Sequence, residues 1–269
     1  MNKKLMALLK LLADEDQTVA NFAMAETLSS VKNPGELISR LQESSLKNIR
    51  RKSHQMQGVV NCRNERSNLF VKIQKNPEKL IENLIEIHQL WFNEDTKEEL
   101  LNEWEKIFDR FNPGKQSSLK KILSFMKNNG FRTSPFNELF AEYFCIGSVF
   151  GKKLGSDCIL AAISSELANK TGIETNVIKT EAGFGISCDM KKICLPSANW
   201  AVVSNSPDLK SSIFTPLMIC RYAAYMLLLC AIISGSFRYV NTIGTALLDG
   251  NMKKTIFDIF PYPYGKNQI

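Results

Sequence analysis

Apolar residues in the first part of the chain recur at helical spacing. Leu5, Leu8, Leu9 and Leu12 fall on one face of a short amphipathic helix. NPGELISRLQ, residues 33–42, places Asn33 as a cap, Pro34 at the first helical position and Glu36 three residues after the cap. TKEELLNEWEKIFDRF, residues 96–111, repeats that logic. Thr96 and Glu99 form a capping box, and Leu100, Trp104, Ile107 and Phe111 make the stripe behind it. Residues 1–112 therefore read as consecutive helices. FNPGKQSS, residues 111–118, breaks the pattern at Pro113 and Gly114. A helix from about 117 to 128 then ends at Gly130, another is predicted to open with Ser134 and Pro135, and a third carries Cys158 and stops at Gly172.

After Gly172 the period shortens. ETNVIKT, FGISCD, KKICLP and NWAVVS, within residues 174–204, read as short strands rich in Val, Ile and aromatics. The middle two are joined by a turn at Asp189, Met190 and Lys191. Helices return at about 214–234 and 236–249, split by Ser234-Gly235-Ser236. The tail FPYPYGKNQI shows no period. This order predicts a mostly α, α+β fold in three regions: helices over 1–112, a core with a small antiparallel sheet over 113–205, and helices over 206–269. YAAYMLLLCAII, residues 222–233, is too short to span a bilayer and has Arg221 at its edge, so it reads as a buried helix and no membrane span is expected. The opening MNKKLMALLKLLADED does not read as a signal peptide, because Lys10 interrupts its apolar run and ADED follows it.

Composition changes this picture at two points. Seven cysteines form no CxxC pair and only two histidines are present, which argues against a zinc site and a disulfide framework. The odd count and apolar surroundings (EYFCIG, LMICRY) fit reduced thiols in the cytoplasm. The net charge of +7 is uneven: residues 1–112 hold 17 basic and 17 acidic side chains, and residues 113–269 hold 17 against 10. Lys115, Lys120, Lys121, Lys127 and Arg132 form a run without an acid. The lysines lie opposite Leu119, Ile122 and Met126, so a solvated helix face is expected, with nucleic acid as the alternative partner. EAGFG, residues 181–185, is too short for a phosphate loop, and no cofactor is expected.

The candidate chemistry centres on Cys158. It sits just inside a helix start behind Ser156 and Asp157, where the helix dipole favours a thiolate. Cysteine acyl chemistry also needs a base, almost always histidine, and a group that orients it. His54 and His88 are the only histidines, and residues 89–269 contain none. Cys158 is therefore expected to pack rather than react, and no metal ligands are expected.

The order of features resembles the bacterial SirB-type branch of the transglutaminase-like superfamily. LLADEDQTVANFAMAETL looks like its opening helices, MKNNGFRTSPFNELFAEYF like its lead-in to the core, GSDCILAAISSELANKTGIE like its core helix, and SGSFRYVNTIGTALLDGN like its last helix-turn-helix unit. The resemblance implies a papain-like core between helical flanks, tetratricopeptide-like at the C-terminal end. It also implies a cysteine, histidine and aspartate in that order. Here Asp157 falls at the cysteine position with Cys158 one residue later, and Gly183 falls at the histidine position. No acid lies near Cys194, Leu195 and Pro196; Asp189 stands in the turn instead. The expectation is a pseudoenzyme with no catalytic residues, acting through a protein partner. The alternative is a Cys158-dependent acyltransferase or hydrolase, and the second is a nucleic-acid adaptor using the basic C-terminal part.

Overall fold

The computed structural model describes residues 3–31, 33–111, 118–135, 138–190, 192–204 and 211–248. Within them the fold is α+β and mostly α, with two compact units, Met1–Ser67 and Asn68–Ile269. Compactness thus divides the chain at 67/68, ahead of the 112/113 boundary that Pro113 and Gly114 suggested. The reason is packing: side chains from residues 69–111 enter the same core as those of residues 122–247.

The first unit holds α1 (Lys3–Leu11), α2 (Gln17–Ser30), α3 (Pro34–Gln42) and α4 (Lys47–Ser67). Asp16 caps α2 by accepting the Thr18 N–H at 2.7 Å. The helices pair as α1 with α2 and α3 with α4 around Leu8, Leu12, Ala23, Leu28, Ile38 and Met56. Lys52 is buried in this unit, and its ammonium donates to Gln17 Oε1 and Asn21 Oδ1.

The second unit begins with α5 (Leu69–Lys75), α6 (Leu80–His88) and α7 (Lys97–Phe111). The capping box forms as the sequence predicts: Thr96 Oγ1 accepts the Glu99 N–H and donates to Glu99 Oε2. α8 (Leu119–Asn128) follows, with Ser118 capping it and Ile122, Leu123 and Met126 facing inward. The helix expected to open at Ser134 does not form there. The Arg132 and Ser134 N–H groups instead donate to Lys153 O and Gly155 O, pairing β1 (Arg132–Thr133) in parallel with β2 (Leu154–Gly155). The next helical residues are the 3₁₀ turn Ala141–Tyr143 and α9 (Ile146–Lys152). α9 crosses α6 and α7 at Gly147, where a Cβ would lie 2.6 Å from Leu100 Cδ2 and 2.8 Å from His88 Cε1. Only a glycine admits that approach.

α10 (Asp157–Lys170) is buried on almost every side and ends before Gly172, whose φ is +78°. The predicted strands follow as β3 (Asn176–Thr180), β4 (Gly183–Ser187), β5 (Lys192–Leu195) and β6 (Ala201–Ser204). β7 (Ser212–Ile213), which the sequence pattern did not reveal, completes an antiparallel sheet of order β6-β5-β4-β3-β7. Met190 takes the left-handed conformation in the β4–β5 turn, and Lys191 lies outside the described residues. α10 packs against β4 and β3, so one face of the sheet rests on the core helix. α11 (Pro216–Ile233) and α12 (Phe237–Leu247) close the fold as a hairpin turned at Gly235, φ +66°. α11 is the one described helix long and apolar enough to cross a membrane. It is buried along one face only, through Ile219, Ala223, Leu227, Cys230 and their neighbours.

Candidate functional site

The start of α10 is fixed from below. Gly155 fits tightly beneath Val149, and the Ser156 N–H donates to Tyr143 O at 2.8 Å while Ser156 Oγ accepts the Ile159 N–H. These contacts aim Asp157 at β4. Its Oδ1 accepts the Cys158 N–H and its Oδ2 accepts the Phe184 N–H, both at 2.8 Å. The carboxylate lies against Gly183, whose φ of +121° few residues with side chains adopt. A Cβ on Gly183 would be driven into Asp157 Oδ2 and would sit 3.8 Å from Ser197 Oγ.

The two positions that the resemblance singled out, 157 and 183, thus meet across one helix–strand contact. Neither supplies a nucleophile or a base. Of the segment after β5, the residue nearest this contact is Ser197, in the 3₁₀ turn Pro196–Ala198. Cys194 is buried in β5 and Asp189 lies in the β4–β5 turn. Burial raises the Asp157 pKa above the usual carboxylate value, and the Phe184 and Cys158 N–H groups oppose that shift.

Cys158 points the other way, into the core, with no exposed surface. Burial pushes its thiol well up, and the neighbouring Asp157 charge and Cys220 add to the effect, against a smaller pull from Lys179. The thiol is therefore protonated at neutral pH despite its place at a helix start. Desolvation outweighs the dipole here because the sulfur has no water to meet. Phe184, Phe214 and Tyr222 cluster beside it, with Phe184 centred 5.0 Å from Phe214 and 4.9 Å from Tyr222. Lys179 Nζ lies 6.0 Å from the centres of both phenylalanine rings. Nothing in the spacing of these aromatics along the chain signalled their meeting.

The histidines are occupied elsewhere. His54 is exposed on α4, in the first unit. His88 is buried at the end of α6, with Nε2 2.8 Å from Asp95 Oδ2 and the ring 5.1 Å from Phe92. The carboxylate accepts, so the neutral ring donates from Nε2. Nδ1 then faces no partner among the described residues. Burial lowers the His88 pKa, and Asp95 resists the shift. Among the described residues no hydrogen bond joins a histidine to Cys158. Asp95 thus accepts from His88, whereas Glu82 and Glu86 are engaged by Lys97.

Lys120, Lys121 and Lys127 are exposed on α8, and Arg132 is exposed on β1; Lys115 lies outside the described residues. An open hollow of about 600 Å³ borders α8, lined by Phe111, Lys120, Lys121, Ser124 and Phe125 among others. No group of three or more His, Cys, Asp or Glu side chains placed to hold a metal occurs among the described residues. Comparison with protein-family models, characterised proteins and solved structures found no match for this chain.

Proposed function

We propose that the second unit contains a transglutaminase-like core without catalytic chemistry, and that the protein acts in the cytoplasm as a protein-interaction or regulatory module through its helical flanks. The observation that carries this reading is the Asp157–Gly183 contact. A carboxylate held by two backbone N–H groups fills the space that a side chain at 183 would need, so a base cannot stand there beside position 157. The neighbouring Cys158 is sealed in the core as a neutral thiol, which supports the same conclusion.

Alkylation of the native chain with iodoacetamide at neutral pH tests this. Cys62 and Cys188 are exposed and are expected to label quickly, while Cys158 labels only after denaturation. Stoichiometric labelling of native Cys158, lost on His88→Ala, would overturn the reading and restore a thiol-dependent acyltransferase or hydrolase.

A further inference from the structure

The first unit carries a charge pattern that the balance over residues 1–112 conceals. Residues 1–67 hold 11 basic and 7 acidic side chains, while residues 68–112 hold 6 against 10. The excess gathers on α4, where Lys47, Arg50, Arg51, Lys52, Arg63 and Arg66 stand against Glu65 alone. Residues 44–64 contain no acid. Four of these cations fall within Lys47–Lys52, at the end of the helix whose dipole repels them. Lys47 also stands three and four positions before Arg50 and Arg51, the spacings at which like charges destabilise a helix. The ion pairs described within this unit, Lys4–Glu26 and Arg40–Glu36, leave α4 out. Local stability does not select this arrangement, so it points to a use.

Two of the four cations hold the unit together. Lys52 reaches Gln17 and Asn21 of α2, and Arg50 Nη1 donates to Ser44 O at 2.6 Å and Ser45 O at 3.1 Å, bracing the turn before α4. Lys47 and Arg51 remain exposed, with His54 and Gln55 following on the same side of the helix. One turn sets Lys47 and Arg51 about 6 Å apart along the axis. A polyanion with closely repeated charges meets both at once, and a nucleic-acid strand carries one charge per roughly 3.4 Å. We infer that the outward face of α4 binds the phosphate backbone of nucleic acid, with Lys47 and Arg51 on the phosphates, Arg50 adding its charge at the edge, and Gln55 able to donate beside them. A lipid surface fits less well, because no exposed side chain between Lys47 and Glu65 is large and apolar enough to anchor in it. The face lies in the first unit, so it stands whether or not the second unit is catalytic.

Fluorescence anisotropy of the full chain with a labelled DNA duplex, and separately with its single strand, tests this over a range of salt. Binding at low salt is expected, with a log–log salt slope of about −2 to −3 for the two or three phosphates reached. Arg51→Glu should weaken binding roughly tenfold and make the slope shallower by about 1, and Lys47→Gln should act in the same direction to a smaller extent. Both positions are exposed, and circular dichroism confirms that the variants fold. Lys120→Glu, on the exposed face of α8, is the control and should leave the affinity unchanged. No binding of either DNA, a flat salt response, or a loss produced by Lys120→Glu in place of the α4 variants would overturn the proposal. So would displacement of the DNA by polyglutamate or by phosphatidylserine vesicles at equal charge concentration, which would assign the face to an acidic protein or to lipid.

Discussion

Asp157 and Gly183 are a pair in which each residue requires the other. The carboxylate satisfies two backbone donors only because no side chain stands at 183, and the glycine adopts φ +121° that a Cβ would strain. Gly183→Ala is expected to cost about 3 kcal/mol, combining backbone strain with overpacking against the carboxylate. Asp157→Ala is expected to cost about 2 kcal/mol by leaving the Phe184 and Cys158 N–H groups unpaired. The double variant should lose at least about 1 kcal/mol less than the sum, because the collision is then gone and only the strain remains. Urea unfolding followed by tryptophan fluorescence reads this directly, since Trp91, Trp104 and Trp200 all belong to the second unit. Additive losses would show that the two residues do not touch. The resemblance put both positions under suspicion, but the Phe184-to-Asp157 hydrogen bond that joins their elements spans 27 residues and no local pattern encodes it.

At the scale of elements, buried polar contacts decide how helices meet. His88 closes α6, Asp95 precedes α7, and the hydrogen bond between them ties the two across the intervening turn. Because burial holds the His88 pKa below 6.5, the unfolded chain takes up the proton first as the medium is acidified. The contribution of His88 is thus fully present above about pH 6.5 and is lost as the pH falls through that value towards the folded-state pKa. The loss is bounded at about 1.4 kcal/mol per pH unit for one proton. Comparing urea midpoints at about pH 7.5 and pH 5.5, the wild type should fall more steeply than His88→Gln, which keeps a donor for Asp95 but cannot titrate; equal slopes would assign the acid sensitivity to other groups. Amphipathic helices were legible here because their stripes are local, as in α7 and α8. The helix expected at Ser134 failed for a complementary reason. Ser-Pro chemistry permits a helix start, but the Arg132 and Ser134 N–H groups pair with Lys153 and Gly155, and residues 138–140 that follow are not helical.

On the scale of the whole molecule, the two units have cores of very different size. Among the described residues, the first rests on a packed cluster of six buried apolar side chains, two of them alanine or methionine, while the second gathers side chains from residues 69–247 into one continuous cluster. A domain of about 67 residues with so small a core is marginal on its own. Urea is therefore expected to remove part of the far-ultraviolet circular dichroism signal before tryptophan fluorescence changes. Ile38→Ala, at a fully buried site of the first unit, should move only the earlier transition. Coincident transitions by both probes would show that the units unfold as one.

Apart from the helix expected at Ser134, the sequence by itself determined the main helices, the four main strands and the α+β class, because periodicity, caps and turn residues act within a few positions of one another. It also placed both histidines outside residues 89–269, a fact of composition that needs no geometry. Tertiary structure alone decided that Cys158 turns into the core while Asp157 turns to the sheet, although one residue separates them. It alone brought Gly183 beneath that carboxylate, added β7 to the sheet and left one side of α11 open to solvent. Adjacent positions on a helix differ by about 100° in direction, so which of two neighbours is buried depends on what the rest of the chain packs against it.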